Sequence, residues 1–151
     1  SKPDMEEFDL SERVERVVNY LMKRMPSLGK KVELINDIQP GISIKANGSL
    51  LAWSIENIIR NGIDAIDRED GKVTVSLRKD EDAIKIRIQD NGKGIPKKDW
   101  RNIFRPGFST KRAGWGLGLS LSTRIVEEIH SGRLHVIESS PKNGTIIEIS
   151  F

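Results

Sequence analysis

The chain has 151 residues, of which 36% are hydrophobic and 31% are charged, so we expect one core and a single domain over residues 1–151. Its 25 basic and 22 acidic residues are interspersed and leave a net charge of +3, which does not indicate a nucleic-acid partner. The absence of cysteine excludes a disulfide framework and favours a cytoplasmic location. No apolar run approaches the length of a membrane span, so we expect no direct membrane insertion of this chain.

The first part of the chain predicts two helices and two short strands. A helix with apolar residues on one face is expected to begin at Asp9 or Ser11, and Pro26 and Gly29 are expected to end it. Two alternating segments, 32–35 and 42–45, are predicted strands joined by a turn at 39–41. Asn47 is the expected cap of a second helix, which covers residues 50–66.

The second part predicts two hairpins separated by a glycine-rich loop and a helix. Segments 72–78 and 83–89 alternate around a turn, and segments 134–138 and 145–150 do the same. Residues 92–116 are expected to form a long mobile loop with a short helix near 97–103, and residues 117–130 a helix. This order predicts an α+β fold: a two-layer sandwich with helices on one face of a mixed, mostly antiparallel sheet.

The helix at 50–66 carries a polar stripe opposite its apolar face. Asn57, Asn61 and Asp64 lie within about 60° of one another on a helical wheel. Asn and Asp are poor interior helix residues because their side chains compete for backbone hydrogen bonds. The stripe is therefore either an ordinary outer surface or a surface that faces a polar ligand, and the helix alone does not decide between them.

Two glycine-rich segments allow close approach to a ligand. Asp90 ends a strand and is followed by Gly92 and Gly94, so its carboxylate either completes a simple turn or accepts a hydrogen bond from an exocyclic amine such as that of adenine. Residues 114–119 open into a helix, whose first N–H groups favour phosphate. Lys111 and Arg112, between the two segments, suit a polyphosphate and a solvated loop equally well.

Taken in order, these segments resemble the motifs of the ATP-binding catalytic domain of sensor histidine kinases, within the GHKL superfamily that includes gyrase, the Hsp90 chaperones and MutL. The resemblance spans residues 8–151. Each motif alone is weak, but five in the expected order and spacing are specific. They are Asn57–Ala65 (N box), Asp90–Gly94 (G1 box), Ile103–Lys111 (F box), Gly114–Leu119 (G2 box) and Asn143–Thr145 (terminal Gly-Thr element).

The resemblance implies a Bergerat-type fold with ATP and Mg²⁺ as cofactors. Asn61 would give an oxygen ligand to Mg²⁺, Asn57 would contact phosphate or a magnesium-bound water, and Asp90 would bind the adenine amine. Residues 107–114 would form a flexible lid over the phosphates, with Lys111 or Arg112 in contact. Catalysis would depend on Asn57, Asn61 and Lys111. The other nucleotide-binding residues would be Arg60, Asp64, Gly92, Gly94, Ile95, Phe104, Thr110, Arg112, Gly114, Trp115, Gly116, Leu117, Gly118, Leu119 and Thr145.

Three residues depart from the family pattern. Asp64 and Ala65 stand where many members have Lys and an aromatic residue, which makes Arg60 and Lys111 candidate substitutes for the phosphate contact. Trp115 stands where the G2 box usually has Thr or a small residue. These departures leave open a degenerate module that binds nucleotide or a partner protein without catalysis.

The residue at position 57 favours phosphoryl transfer over ATP hydrolysis. In the ATPases of the superfamily this position is Glu, the base that activates water, whereas here it is Asn57, and Glu56 lies about 100° off the stripe.

The resemblance also predicts partners outside the chain. Neither His130 nor His135 has the sequence context of a phosphoacceptor, so we expect the acceptor on a helical dimerisation domain that precedes this one and is absent from the chain. A downstream response regulator and a homodimeric full-length protein, with or without a membrane anchor, are the further expectations.

Overall fold

The computed structural model describes residues 3–29, 31–108 and 116–151. Its strands are β1 (Glu6–Asp9), β2 (Val32–Ile38), β3 (Ser43–Ala46), β4 (Gly71–Lys79), β5 (Ile84–Asp90), β6 (Arg133–Ser140) and β7 (Gly144–Ser150). Its α-helices are α1 (Leu10–Arg24), α2 (Gly48–Asp64) and α3 (Gly116–Arg124). Short 3-10 turns cover Met25–Leu28, Lys97–Asp99 and Asn102–Phe104, and a π turn covers Ile125–Ile129. None of the helices in these ranges is long and apolar enough to cross a membrane.

The main sheet has the strand order β2-β4-β5-β7-β6. The β2–β4 pair is parallel and the other pairs are antiparallel, which confirms the predicted mixed, mostly antiparallel sheet. The predicted strands around the turn at 39–41 do exist, but they belong to different sheets, because β3 pairs with β1. Strand β1 was missed because its sequence, EEFD, has a single apolar residue and therefore shows no alternation.

The helices pack on one face of this sheet through alternating apolar residues. Across β4, β5 and β7, Val75 lies opposite Ile88, which in turn lies opposite Ile147, and all three are buried. Helix α2 covers these strands with the apolar face that its spacing predicted. Its buried members are Leu51, Ile55, Ile58, Ile59, Gly62 and Ile63. Each fully buried large aliphatic side chain stabilises the fold by about 1.5–3 kcal/mol.

Helix α2 is fixed at its start by a predicted cap and by a contact that was not predicted. The Asn47 side chain accepts a hydrogen bond from Leu50 N–H at 2.9 Å. The Asn47 N–H donates to His130 Nε2 at 3.0 Å, and His130 Nδ1 lies 2.8 Å from the Ile125 carbonyl oxygen. The helix predicted over 117–130 is therefore α3 followed by the π turn, and His130 joins its end to the start of α2.

The backbones of β5 and β7 lie very close to each other at one end of the main sheet. Asp90 lies opposite Thr145, and Gly144 comes just before it with a φ of 77°. A Cβ atom at Gly144 would collide with the Asp90 carbonyl oxygen. Glycine is required here both for its backbone conformation and for the close approach of the two strands.

We predict that Gly144→Ala destabilises the fold by at least about 3 kcal/mol, because it adds a steric clash to the cost of a left-handed alanine. Gly41→Ala is the matched control, since Gly41 has a φ of 76° with open space around its Cβ position. The control should lose only about 1–2 kcal/mol. Urea unfolding of both variants measures the difference, and equal losses would contradict the claimed close approach.

Candidate functional site

A cavity of about 230 Å³ lies between α2 and the end of the sheet formed by β5 and β7. Its walls are mostly apolar with a few polar groups, which is the usual character of a small-molecule site. The lining residues are Ile58, Asn61, Gly62, Asp64, Ala65, Ile88, Asp90, Lys93, Gly94, Ile95, Pro96, Asp99, Ile103, Phe108, Leu119, Thr145 and Ile147.

Asp90 supplies a carboxylate to this cavity from the inward face of β5, a face on which the sheet otherwise carries mostly apolar side chains. It lies opposite Val73 on one side and Thr145 on the other, and only 5% of it is exposed. Burial raises the pKa of this carboxyl from 3.8 to about 6, although hydrogen bonds from the N–H groups of Gly92 and Thr145 partly offset the increase. At neutral pH the group is therefore mostly an ionised hydrogen-bond acceptor.

The loop that follows Asp90 is held in place on both sides. Gly92 N–H donates to Asp90 Oδ1 at 2.8 Å, and Lys93 N–H donates to the Ala65 carbonyl at the end of α2 at 3.0 Å. A Cβ atom at Gly92 would collide with that same carbonyl oxygen. Gly94 has a φ of 77° and packs equally closely on the Ser140 carbonyl. The two glycines are thus required by close backbone contacts as well as by the turn.

A hydroxyl pair connects the loop to the last two strands. Ile95 N–H donates to Ser139 Oγ at 2.7 Å, and Ser139 Oγ lies 2.7 Å from Thr145 Oγ1. Thr145 is buried and lines the cavity beside Asp90. Sequence reasoning missed Ser139, because a lone serine near the end of a strand carries no signal of its own.

Two of the three residues in the polar stripe of α2 line the cavity, and the third does not. Asn61 and Asp64 line the cavity. Asn61 Nδ2 donates to the Asn57 carbonyl at 2.9 Å, so the donor end of that amide is used and Oδ1 remains as its acceptor. Asn57 is not among the lining residues, yet its Nδ2 is buried without a hydrogen-bond partner in the described part of the chain. A buried amide without a partner is costly, which suits a polar group arriving with a ligand.

Several other predicted residues do not line the cavity, or lie outside the residues that the structure describes. Arg60 forms an ion pair with Glu56 at 3.0 Å and does not line the cavity. Phe104 packs partly buried against the core and faces a separate groove. Leu119 lines the cavity from α3, which begins at Gly116. Thr110, Lys111, Arg112, Gly114 and Trp115 fall outside the described residues, and for Gly116, Leu117 and Gly118 only the helical backbone is described.

Part of the apolar wall was predicted, since Ile95 and Leu119 line the cavity. Ile58, Ile88 and Ile147 were not predicted as site residues, because nothing in the sequence distinguishes them from the core. Ile88 is two residues before Asp90 on β5, and Ile147 of β7 lies opposite Ile88. The spacing therefore places both on the inward face, where Asp90 also lies. Because Asp90 lines the cavity, the alternation of the strand identifies these neighbours as wall residues.

Comparison with known proteins gives consistent matches. Residues 47–151 match the family model described as histidine kinase-, DNA gyrase B-, and HSP90-like ATPase. Sporulation kinase A of Bacillus subtilis (strain 168) is 37% identical over 110 residues, which cover 73% of this chain and 18% of that protein. Sporulation kinase D of the same organism is 31% identical over 153 residues, which cover 99% of this chain and 29% of that protein. The chain thus spans less than a third of either relative.

The fold is shared with solved structures. The catalytic domain of the histidine kinase ThkA matches with a TM-score of 0.85 at 22% identity, covering 99% of this chain and 95% of that one. The predicted resemblance to the ATP-binding catalytic domain of sensor histidine kinases is confirmed, and so is the α+β sandwich. By its sequence from residue 47 to its end, and by its fold, the chain belongs to the family of histidine kinase-, DNA gyrase B- and HSP90-like ATPases.

Proposed function

We propose that this chain binds ATP with Mg²⁺ and transfers the γ-phosphoryl group to a histidine on a helical dimerisation and phosphoacceptor domain of its parent protein. The observation that carries the proposal is the buried carboxylate of Asp90 in an otherwise mostly apolar cavity. The N–H groups of Gly92 and Thr145 offset the burial of this carboxylate only in part, and an exocyclic amine would supply a further donor. The family match and the kinase relatives support the same activity.

The adenine base would enter between α2 and the sheet. Its amine would donate to Asp90, and its ring would lie against the apolar walls that include Ile95 and Ile147. The buried hydroxyl of Thr145, held by Ser139, lies beside Asp90 and is available to a water or to the ring edge. This arrangement favours adenine, whose exocyclic amine donates to Asp90, over guanine, which has a carbonyl oxygen in the place of that amine.

The phosphates and Mg²⁺ would lie along the polar stripe of α2. Asn61 Oδ1 would coordinate the ion, and the buried Nδ2 of Asn57 would donate to a phosphate oxygen or a bound water. The part of the chain that the structure describes contains no group of three or more His, Asp or Glu residues able to hold a metal. That fits Mg²⁺, which commonly keeps phosphate oxygens and water as most of its ligands. When bound, the ion would neutralise negative charge that develops on the phosphates.

Phosphoryl transfer breaks the bond between the γ-phosphorus and the β–γ bridging oxygen and forms a bond from phosphorus to an imidazole nitrogen, so that ADP leaves. This chain would position the triphosphate, with Lys111 or Arg112 of the proposed lid in contact. Hydrolysis is disfavoured because position 57 is an amide and because Glu56 pairs with Arg60 instead of facing the cavity. A superfamily-type ATPase and a binding module without kinase activity are the alternatives.

The acceptor histidine would come from another domain. His130 uses both ring nitrogens in contacts with Asn47 and Ile125, and His135 lies 3.8 Å from the Glu148 carboxylate on the other face of the sheet. Neither lines the cavity. The kinase ThkA has been solved in complex with the response regulator protein TrrA, which supports a response regulator as the partner that receives the phosphoryl group. A cytoplasmic location and a homodimeric parent protein belong to the same proposal.

The decisive experiment mixes this chain with the helical domain of its parent protein and ATP labelled at the γ-phosphate. We expect Mg²⁺-dependent label on histidine, identified by its acid lability. Asn61→Ala should reduce the label to background because the proposed metal ligand is lost. Asn36→Ala, on an exposed residue of β2, is the matched control and should leave transfer unchanged.

Three outcomes of that experiment would overturn the proposal. Label on serine or threonine would indicate a different acceptor. Rapid release of phosphate from the chain alone would indicate an ATPase. Tight ATP binding without transfer to any histidine would indicate a binding module.

Asp90→Asn should weaken ATP binding by about tenfold more than it weakens GTP binding, since the lost acceptor serves only the adenine amine. Titration calorimetry with both nucleotides measures the two affinities. Equal weakening of ATP and GTP would argue against recognition of adenine by Asp90.

The same substitution should raise stability at neutral pH. Because the pKa of Asp90 in the fold is about 6, above its ordinary value of 3.8, its contribution to stability is complete below about pH 4 and is lost as the pH rises through about 6. We expect Asp90→Asn to be more stable than the original chain by about 2 kcal/mol at pH 7.5, with no advantage at pH 4. Urea unfolding at both pH values tests this, with Asp67→Asn, an exposed carboxylate, as the control for charge.

A further inference from the structure

A second and larger depression, about 700 Å³ in volume, lies beside the nucleotide cavity, and we call it the basic groove. One wall is the pair of 3-10 turns at Lys97–Asp99 and Asn102–Phe104, and the other is the edge strand β6 with the π turn behind it. The groove and the cavity share a wall. Asp99 and Ile103 face the cavity, whereas Trp100 and Phe104, from the same turns, face the groove.

Positive charge is concentrated in this groove. Its lining contains five cationic side chains: Lys97, Lys98, Arg101, Arg105 and Arg133. The one carboxylate in its lining, that of Glu127, accepts a hydrogen bond from Leu134 N–H at 3.2 Å. The whole chain has a net charge of only +3, so the rest of the molecule carries no net positive charge. Among the residues that the structure describes, the groove is therefore a positive surface toward which an acidic partner would be steered.

The groove also presents main-chain groups of an edge strand. β6 is the last strand in the sheet, with a neighbour, β7, on one side only. The contact between Leu134 N–H and Glu127 shows that this amide points away from β7. Val136 lies two residues further in the same register, so strand geometry directs its N–H and C=O away from β7 as well. Since Leu134 N–H is already bound by Glu127, the groups left for pairing are those of Val136 and the Leu134 carbonyl. A polypeptide in extended conformation can pair with such an edge.

Apolar surface completes the groove. The Lys97 ammonium lies 5.7 Å from the centre of the Trp100 ring, and Trp100 Nε1 donates to the Ile95 carbonyl at 3.0 Å. The indole is thereby fixed in orientation and only partly covered. It gives a docked chain an apolar contact between cations, in the way that aromatic anchors serve protein interfaces.

We propose that the basic groove docks an extended acidic segment of a partner protein, which adds to the edge of β6 and places its carboxylates on the surrounding cations. The register shift between Val136 and Glu138 limits the pairing to a short stretch, so charge supplies most of the selectivity. The outward main-chain groups favour a polypeptide over a nucleic acid, whose phosphates do not pair with a strand edge.

The test uses the whole chain and a fluorescein-labelled peptide of eight glutamates around two leucines. We expect binding that weakens with salt, and changes in the backbone NMR shifts of residues 97–105 and 133–136. Lys98→Glu combined with Arg101→Glu should weaken the peptide by about tenfold or more, since two exposed ion pairs are replaced by repulsion. Lys31→Glu combined with Lys79→Glu changes the net charge equally from exposed positions near the opposite edge of the sheet, and should weaken it by less than about threefold.

Four results would overturn the docking proposal: no binding of the peptide, shift changes confined to other residues, equal weakening by the two double variants, or tighter binding of a single-stranded oligonucleotide of equal charge at the same residues. The last result would assign the groove to nucleic acid. Circular dichroism of both double variants establishes that they are folded, so that a loss of binding is not a loss of structure.

Discussion

A carboxylate buried in the apolar layer of a sheet is the constraint on which the site depends. Asp90 is held there by hydrogen bonds from the N–H groups of Gly92 and Thr145. These hydrogen bonds require the backbone at both residues to lie close to the carboxylate. Glycine at 92 and 144 meets that requirement, because a methyl group at either position would collide with a main-chain carbonyl. The Asp90 carboxylate thus lies beside two close backbone contacts, one with the end of α2 and one between β5 and β7.

The larger elements were predictable because their signals are local and periodic. The apolar face of α2, its cap at Asn47 and both hairpins follow from spacing and turn residues. Strand β1 and the separation of β2 from β3 into two sheets were not predictable, since they depend on pairing between segments far apart in sequence. The split of the last helix into α3 and a π turn was not predictable, because the spacing of apolar residues does not distinguish a five-residue π turn from a continuing α-helix.

Only some of the residues that line the cavity were predicted, because only some of them carry a local signal in the sequence. Polar residues in unexpected places, such as Asn61 and Asp90, stand out in the sequence, and both line the cavity. Apolar lining residues such as Ile88 do not stand out, because a ligand wall and a core position have the same composition. The side chains of Arg60 and Phe104 face elsewhere, since their positions follow from ion pairing with Glu56 and from packing against the core.

The cavity and the basic groove share a wall, formed by the segment from Lys97 to Phe104. Asp99 ends the first 3-10 turn of this wall and Trp100 follows it directly, and each of the two turns is only three residues long. A ligand that shifts the turns from one side must change the shape presented on the other. Any free energy of coupling between the two sites would then be reciprocal, so that occupancy of either one would be reported by affinity at the other.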